Sequence, residues 1–305
     1  MKLPLKGVVP PLITPLKDRD QLDVEGLEKL VEYVLAGGVH GLFLLGSTGE
    51  APGLGYRLRR ELIKRVCRQV NGRVPVLVGI TDSAIVEALN MSKCAADHGA
   101  SAVVASTPFY FPAGQPELIK YFKHLTMELP LPMMIYNIPA FTKTMITVET
   151  LHTLAEDPKI IGIKDSSDDM IHFHRLLADQ PVRNDWSMLM GSEELFAEAV
   201  LMGADGGVCG GANVAPRFFV ELYNAAVAED LKKIRELQKK VMFLGASLYH
   251  VGVHSSSMIK GIKSTLSLLG ICSDFMADPA TRFLTAGRKI LSERMATPEL
   301  KELLN

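Results

Sequence analysis

Short apolar runs and amphipathic stretches alternate about eight times along this chain, and few folds accept that order. The apolar runs lie at 7–14, 41–45, 74–80, 102–106, 133–137, 160–164, 187–191 and 206–210. Each has the length of a buried strand rather than of a helix. Between them the period changes. Over 23–36 the apolar residues Val24, Leu27, Leu30, Val31, Val34 and Leu35 recur at helical spacing. Comparable stretches begin near Tyr56, Ser83, Gln115, Val148, Asp168, Glu193 and Pro216. Asp23, Ser83 and Asp168 are candidate caps, while Pro116 and Pro216 suit a first helical turn.

Strand followed by helix, repeated at roughly 20–35 residue intervals, predicts a (β/α)8 TIM barrel. An open doubly wound sheet is the competitor. The first strand, however, lacks a G-x-G-x-x-G fingerprint, and eight parallel strands in an open sheet are less usual. After about Glu229 the strand signal stops, and 231–251, 254–269, 280–292 and the chain end read as helices. A barrel cannot use so many. The expected organisation is a barrel catalytic domain over 1–230 and a C-terminal helical subdomain over 231–305, packed on it because no linker separates them.

With 305 residues, 48% of them hydrophobic, the chain can bury a large core. Its net charge of −1 makes no electrostatic case for a nucleic-acid or anionic-membrane partner. No apolar stretch is long enough to span a bilayer, and the first residues lack a signal-peptide core. Cys67, Cys94, Cys209 and Cys272 are scattered, without metal or redox spacing. A soluble cytoplasmic protein is the expectation.

In a barrel, chemistry belongs at the C-terminal ends of the strands. Three ends carry unusual polar groups here: Gly46-Ser47-Thr48-Gly49-Glu50, Tyr136-Asn137, and Lys164 after Ile160-Ile161-Gly162-Ile163. A lysine ending a buried strand loses hydration, which favours the neutral amine as base or Schiff-base nucleophile. A snorkelling lysine is the plainer alternative. Glycines flanking Ser47 and Thr48 let consecutive N–H groups face a small anion, although an ordinary turn reads the same way. His172 and His174, two residues apart after Lys164, read as non-ligands.

These motifs, in this order, resemble the dihydrodipicolinate synthase / N-acetylneuraminate lyase family of pyruvate-dependent class I aldolases. Thr107-Pro108-Phe109-Tyr110, Gly191-Ser192-Glu193-Glu194, Ala212-Asn213-Val214-Ala215-Pro216 and the segment from Lys263 to Gly270 extend the resemblance over essentially the whole chain. The resemblance implies that Lys164 forms an imine with a 2-oxo acid and that Tyr136 shuttles protons. Ser47 and Tyr110 would share a hydroxyl relay with it. Ser47 and Thr48 would bind the carboxylate, and Val208 would present backbone to the pyruvyl group. No metal or other cofactor would be needed. A homotetramer built from dimers, with Tyr110 near a subunit contact, is the implied assembly.

The second substrate is where the family divides. Synthases that condense pyruvate with aspartate semialdehyde carry an arginine where this chain has Phe141, and an aromatic side chain cannot grip a carboxylate in bidentate fashion. Sialic-acid lyases carry an apolar residue there, and Ser47, Ser166, Glu193 and Glu194 match their pattern; Phe141 and Gly191 join them as expected substrate-binding residues. Cys209-Gly210-Gly211 and Thr142-Lys143 depart from it. Aldolases and dehydratases of 2-keto-3-deoxy sugar acids fit comparably. The leading expectation is therefore an aldolase or lyase acting on a hydroxylated aldehyde. 4-Hydroxy-tetrahydrodipicolinate synthase is the alternative, and a non-catalytic 2-oxo-acid-binding barrel is the reading from another class.

Overall fold

The computed structural model describes residues 1–178 and 183–304. Eight parallel strands form the sheet: Gly7–Val8, Leu42–Leu44, Val76–Gly79, Ala102–Ser106, Met133–Asn137, Ile160–Asp165, Ser187–Met190 and Gly206–Gly207. From the second to the eighth each pairs with the next, and the eighth pairs with the first. A bridge between Pro11 and Phe43 closes the ring, with Leu12 N–H donating to the Phe43 carbonyl and Phe43 N–H to that of Pro10. The expected TIM barrel is thus the observed fold, and closure leaves no long exposed edge.

The first and last strands are shorter than the apolar runs implied. Pro10 and Pro11 have no N–H to give to a ladder, and Gly210–Asn213 winds into a 3-10 turn. Asp23 caps Val24–Ala36 as expected, accepting from Gly26 N–H. Ser83 does not cap; Ile85–Asp97 follows Ala84, whose N–H donates to Asp82. Nor does Asp168, which has φ of 60°, because Asp169 accepts from His172 N–H at the start of Met170–Ala178.

Strand side chains divide between two packed layers. Phe43, Leu77, Val104, Met134, Tyr136 and Leu189 fill the barrel interior. Leu42, Leu44, Val103, Ala105 and Ile135 belong to the larger layer beneath the helices. Burial on both faces is why these strands read as continuous apolar runs rather than alternating ones.

The sixth strand breaks the alternation. Ile160 pairs with Met133, but Met134 pairs with Gly162, so Ile161 is an extra residue in a bulge. Ile161 lies in the inner cluster and Ile163 in the outer one, although they are two residues apart. Regular alternation would put both on one face and Lys164 on the other. The bulge instead turns Lys164 inward. Gly162 makes it feasible, with φ of 154° and its α-carbon so close to Ser187 that a β-carbon would lie 2.3 Å from that residue's carbonyl oxygen.

Past Pro216–Val227 come Leu231–Leu248, Ser257–Leu268, Thr285–Met295 and Pro298–Leu304. They pack on the barrel, with Tyr33 donating to the Leu304 carbonyl and Asp23 accepting from Ser273 N–H. The expected helix over 280–292 begins later, at Thr285. Asn305, the end of the expected subdomain, lies outside the described residues. No helix among the described residues is long and apolar enough to cross a membrane.

Gly162→Ala should lower stability by about 1–3 kcal/mol or more, read as a lower urea midpoint. An unchanged midpoint would show that the sixth strand relaxes without the bulge.

Candidate active site

Tyr136 and Lys164 are register partners on adjacent strands, so they reach the barrel mouth at one level. Both are buried, at 7% and 4% exposure. The Lys164 Nζ lies 3.9 Å from the centroid of the Tyr136 ring and 5.1 Å from that of Phe43. The two rings meet edge to face, 6.3 Å apart. An ammonium against two aromatic faces is favoured electrostatically while most of its water is removed. Phe43 is a neighbour that the sequence did not single out, because it is one apolar residue inside an apolar strand.

The Tyr136 hydroxyl is a meeting point. Burial opposes its ionisation, but the Lys164 charge and hydrogen bonds with Lys164, Ser47 and Ser166 outweigh burial, and the phenol titrates below its ordinary value. Groups from the ends of the second, fifth and sixth strands therefore converge on one oxygen, the arrangement a proton shuttle needs.

The 46–50 loop is built against the barrel rim. Leu45 and Glu50 both have φ of 58°, and Glu50 N–H donates to the Ser47 carbonyl at 3.0 Å. Thr14 donates to the Gly49 carbonyl at 2.7 Å, and a β-carbon on Gly49 would approach Leu12 O to 2.9 Å. Among the described residues, neither Ser47 N–H nor Thr48 N–H donates to a protein acceptor. Two unspent amides on consecutive residues are the backbone arrangement from which anion-binding corners are made.

A cavity of about 580 Å³ opens beside this cluster. Ser47, Tyr136 and Phe43 line its floor, and Phe141, 60% exposed, stands at its rim. Lys164 is not among the lining residues, and its amine lies against the Phe43 and Tyr136 rings. The far wall holds Tyr56, Arg59 and Asp82, where Tyr56 donates to Asp82 at 3.0 Å and the Arg59 guanidinium lies 5.0 Å from the Tyr56 ring centroid. Sequence spacing gave no signal for this group, since Tyr56 and Arg59 open the helix Tyr56–Val70 while Asp82 follows the next strand, Val76–Gly79.

The remaining expected site residues are placed differently. Val208 is buried in the inner cluster, its N–H donating to the Met190 carbonyl. Gly191 packs so closely beneath Ser166 that any side chain would displace the serine hydroxyl. Glu193 is buried and occupied, accepting from the Tyr249 hydroxyl at 2.6 Å and from Gly211 N–H at 2.7 Å. Glu194 is exposed, and its carbonyl accepts from Gln238 on the helix Leu231–Leu248. Neither acid lines the cavity. Tyr110 is 76% exposed and packs edge-on against Phe111, while Phe109 is the member of that loop in the cavity wall.

Behind the mouth, Asp165 accepts from the Asn137 amide at 2.7 Å and from Ser167. Asn137 in turn accepts from Ile146 N–H. This network ties the ends of the fifth and sixth strands together one residue beyond Tyr136 and Lys164. Among the described residues, no group of three or more His, Cys, Asp or Glu is arranged to hold a metal ion.

A closed barrel with a lysine and a tyrosine packed together at the C-terminal ends of its strands, beside a glycine-flanked loop with unspent amides, has the layout of a lyase of the class I aldolase type. The chain belongs to the dihydrodipicolinate synthetase family, whose model matches residues 4–295 and whose members are pyruvate-dependent lyases. It is 30% identical over 287 residues to the 4-hydroxy-tetrahydrodipicolinate synthase of Methanocaldococcus jannaschii, covering 94% of this chain and 96% of that one. The synthase of the same name from Methanopyrus kandleri is 33% identical over 275 residues, covering 90% and 89%. Among solved structures, a dihydrodipicolinate synthase from Bacteroides thetaiotaomicron superposes with a TM-score of 0.94 at 51% identity, covering 97% and 99% of the chains. A prophage protein of this family from E. coli K12, solved with pyruvate, gives a TM-score of 0.90 at 28% identity, covering 98% and 99%.

Burial pushes the Glu193 carboxyl up from 4.5 to about 7, against the opposing hydrogen bonds from Tyr249 and Gly211. In the unfolded chain this group ionises near 4.5, whereas the fold retains its proton until about 7. Its contribution to stability is therefore full below the lower value and is lost as pH rises through the upper one. The stability difference between the native protein and Glu193→Gln should fall across that window, at up to about 1.4 kcal/mol per pH unit. Parallel denaturation curves at stepped pH check this, and a constant difference would contradict it.

Proposed function

We propose that this enzyme joins or cleaves carbon–carbon bonds through an imine between Lys164 and pyruvate or a close 2-oxo acid. The observation that carries the reading is the Lys164 amine packed against Tyr136, whose hydroxyl also meets Ser47 and Ser166. The substrate carboxylate would take the free N–H groups of Ser47 and Thr48. The amine adds to the C2 carbonyl, Tyr136 passes a proton to the carbinolamine oxygen, and water leaves. The resulting iminium accepts the electron pair released when a C3 proton or C3–C4 bond is lost, giving an enamine. In the condensing direction the enamine carbon attacks the aldehyde and hydrolysis frees the lysine. The iminium supplies the polarisation that a metal gives other aldolases, so no cofactor enters this scheme. A homotetrameric assembly would put the exposed Tyr110 and Phe111 at a subunit contact, where Tyr110 could complete the relay.

Two observations bear on the aldehyde, and they pull apart. The curated relatives carry the name 4-hydroxy-tetrahydrodipicolinate synthase at identities of 30–34%, which favours aspartate semialdehyde. Phe141 at the cavity rim offers that substrate's carboxylate no bidentate partner, which favours a hydroxylated aldehyde. The engagement of Glu193 with Tyr249 and Gly211 removes one support for the second reading. The names of the relatives are the stronger of the two arguments, and Phe141 is what keeps the hydroxylated aldehyde in consideration.

Borohydride with pyruvate should trap an adduct at Lys164, located by peptide mass spectrometry, and Lys164→Arg should trap none. Tyr136→Phe should slow turnover by about 10²- to 10⁴-fold with the fold intact. A panel of aspartate semialdehyde, N-acetylneuraminate and 2-keto-3-deoxy sugar acids assigns the second substrate. Absence of any adduct across 2-oxo acids in folded protein would remove the mechanism.

A further inference from the structure

The anion-binding loop is held from the far end of the chain. Glu50, its last residue, is 8% exposed, and both carboxylate oxygens are engaged by the C-terminal region. One accepts from Ala277 N–H at 2.8 Å; the other is ion-paired with the Lys263 ammonium. Lys263 is fully buried on the helix Ser257–Leu268 and also donates to the Phe275 carbonyl at 2.7 Å. Burial drives its amine toward the neutral form, with the Glu50 charge opposing. Such a pair is a poor device for stability alone, because desolvating both charges offsets most of their attraction.

What Glu50 restrains suggests another use. Its N–H donates to the Ser47 carbonyl, Ala51 N–H donates to that of Gly46, and Gly53 N–H donates back to the Glu50 carbonyl. The loop is thus a closed unit fixed at Glu50, and Gly53 sits against Ala277 with no room for a side chain. Leu45 and Glu50, at its two ends, both occupy the left-handed region that residues with a β-carbon avoid. Left unclamped, those two residues would relax and the unspent amides of Ser47 and Thr48 would lose their aim.

We propose that Lys263 and Glu50 are positioning residues for the 2-oxo acid, clamping the 46–50 loop so that its amides receive the substrate carboxylate. This rests on the imine reading above. The clamp touches neither Lys164 nor Tyr136, so it acts on carboxylate binding and leaves the chemical step alone. Its loss should raise the half-saturating 2-oxo acid concentration and spare the rate at saturation.

The test measures borohydride trapping at Lys164 against increasing pyruvate, and separately against acetone, which has the carbonyl but no carboxylate. Glu50→Gln and Lys263→Met are compared with the native enzyme. Arg294→Ala, which removes a 2.8 Å contact to the Ser247 carbonyl elsewhere in the helical region, serves as control. Thermal melts establish folding. Half-saturation by pyruvate should rise about ten-fold or more in the two clamp variants, reach the native end level, and stay put in the control. Trapping with acetone should be unchanged in all. If Lys263→Met does not fold, Glu50→Gln, which can keep the Ala277 contact, carries the comparison. Unshifted pyruvate curves, or equal weakening toward acetone, would overturn the clamp. Failure of the native enzyme to trap any 2-oxo acid would instead remove the imine reading itself.

Discussion

The site depends on one extra residue in the sixth strand. Without the bulge at Ile161 and Gly162, period-2 alternation would send Lys164 outward among the helices. There it would be a buried charge without a purpose. With the bulge, Lys164 enters the barrel level with Tyr136, and the aromatic faces of Tyr136 and Phe43 replace part of its lost hydration. Glycine is required at the pivot because the backbone of Ser187 occupies the space of a β-carbon.

From that placement the division of labour follows. Strands supply the groups that must be rigid: the lysine, the tyrosine and, one residue farther, the Asn137–Asp165 pair that ties the two strand ends. Loops supply much of the cavity lining, and the C-terminal helices hold two of the loops. Two of the acidic residues that follow barrel strands are consumed in this way. Glu50 is taken by Lys263 and Ala277, and Glu193 by Tyr249. The helical region is therefore the back wall of two loops on the C-terminal face of the barrel, and neither glutamate lines the cavity.

Much of this was legible in the chain. The change from short unbroken apolar runs to 3.6-residue spacing marks strands and helices, and the fourth and fifth strands fall on the runs 102–106 and 133–137. Boundaries failed where backbone chemistry overrode hydrophobicity, as at Pro10 and Pro11. Caps failed where a neighbouring aspartate competed, as Asp169 does beside Asp168. Lys164, Tyr136, Ser47 and Ser166 were identified and are found together. Phe43, Arg59, Asp82, Glu50 and Lys263 were not, because nothing local distinguishes them from core, surface or turn residues.

The sequence alone determined the eightfold strand–helix alternation and the order of the polar strand ends, because local periodicity and motif spacing are properties of neighbouring residues. Only the tertiary structure decided which way Lys164 faces and what Glu193 is bound to. It also decided that the 46–50 loop is fastened by a lysine more than two hundred residues away. Those outcomes turn on strand register and long-range burial, and neither is encoded within any one segment.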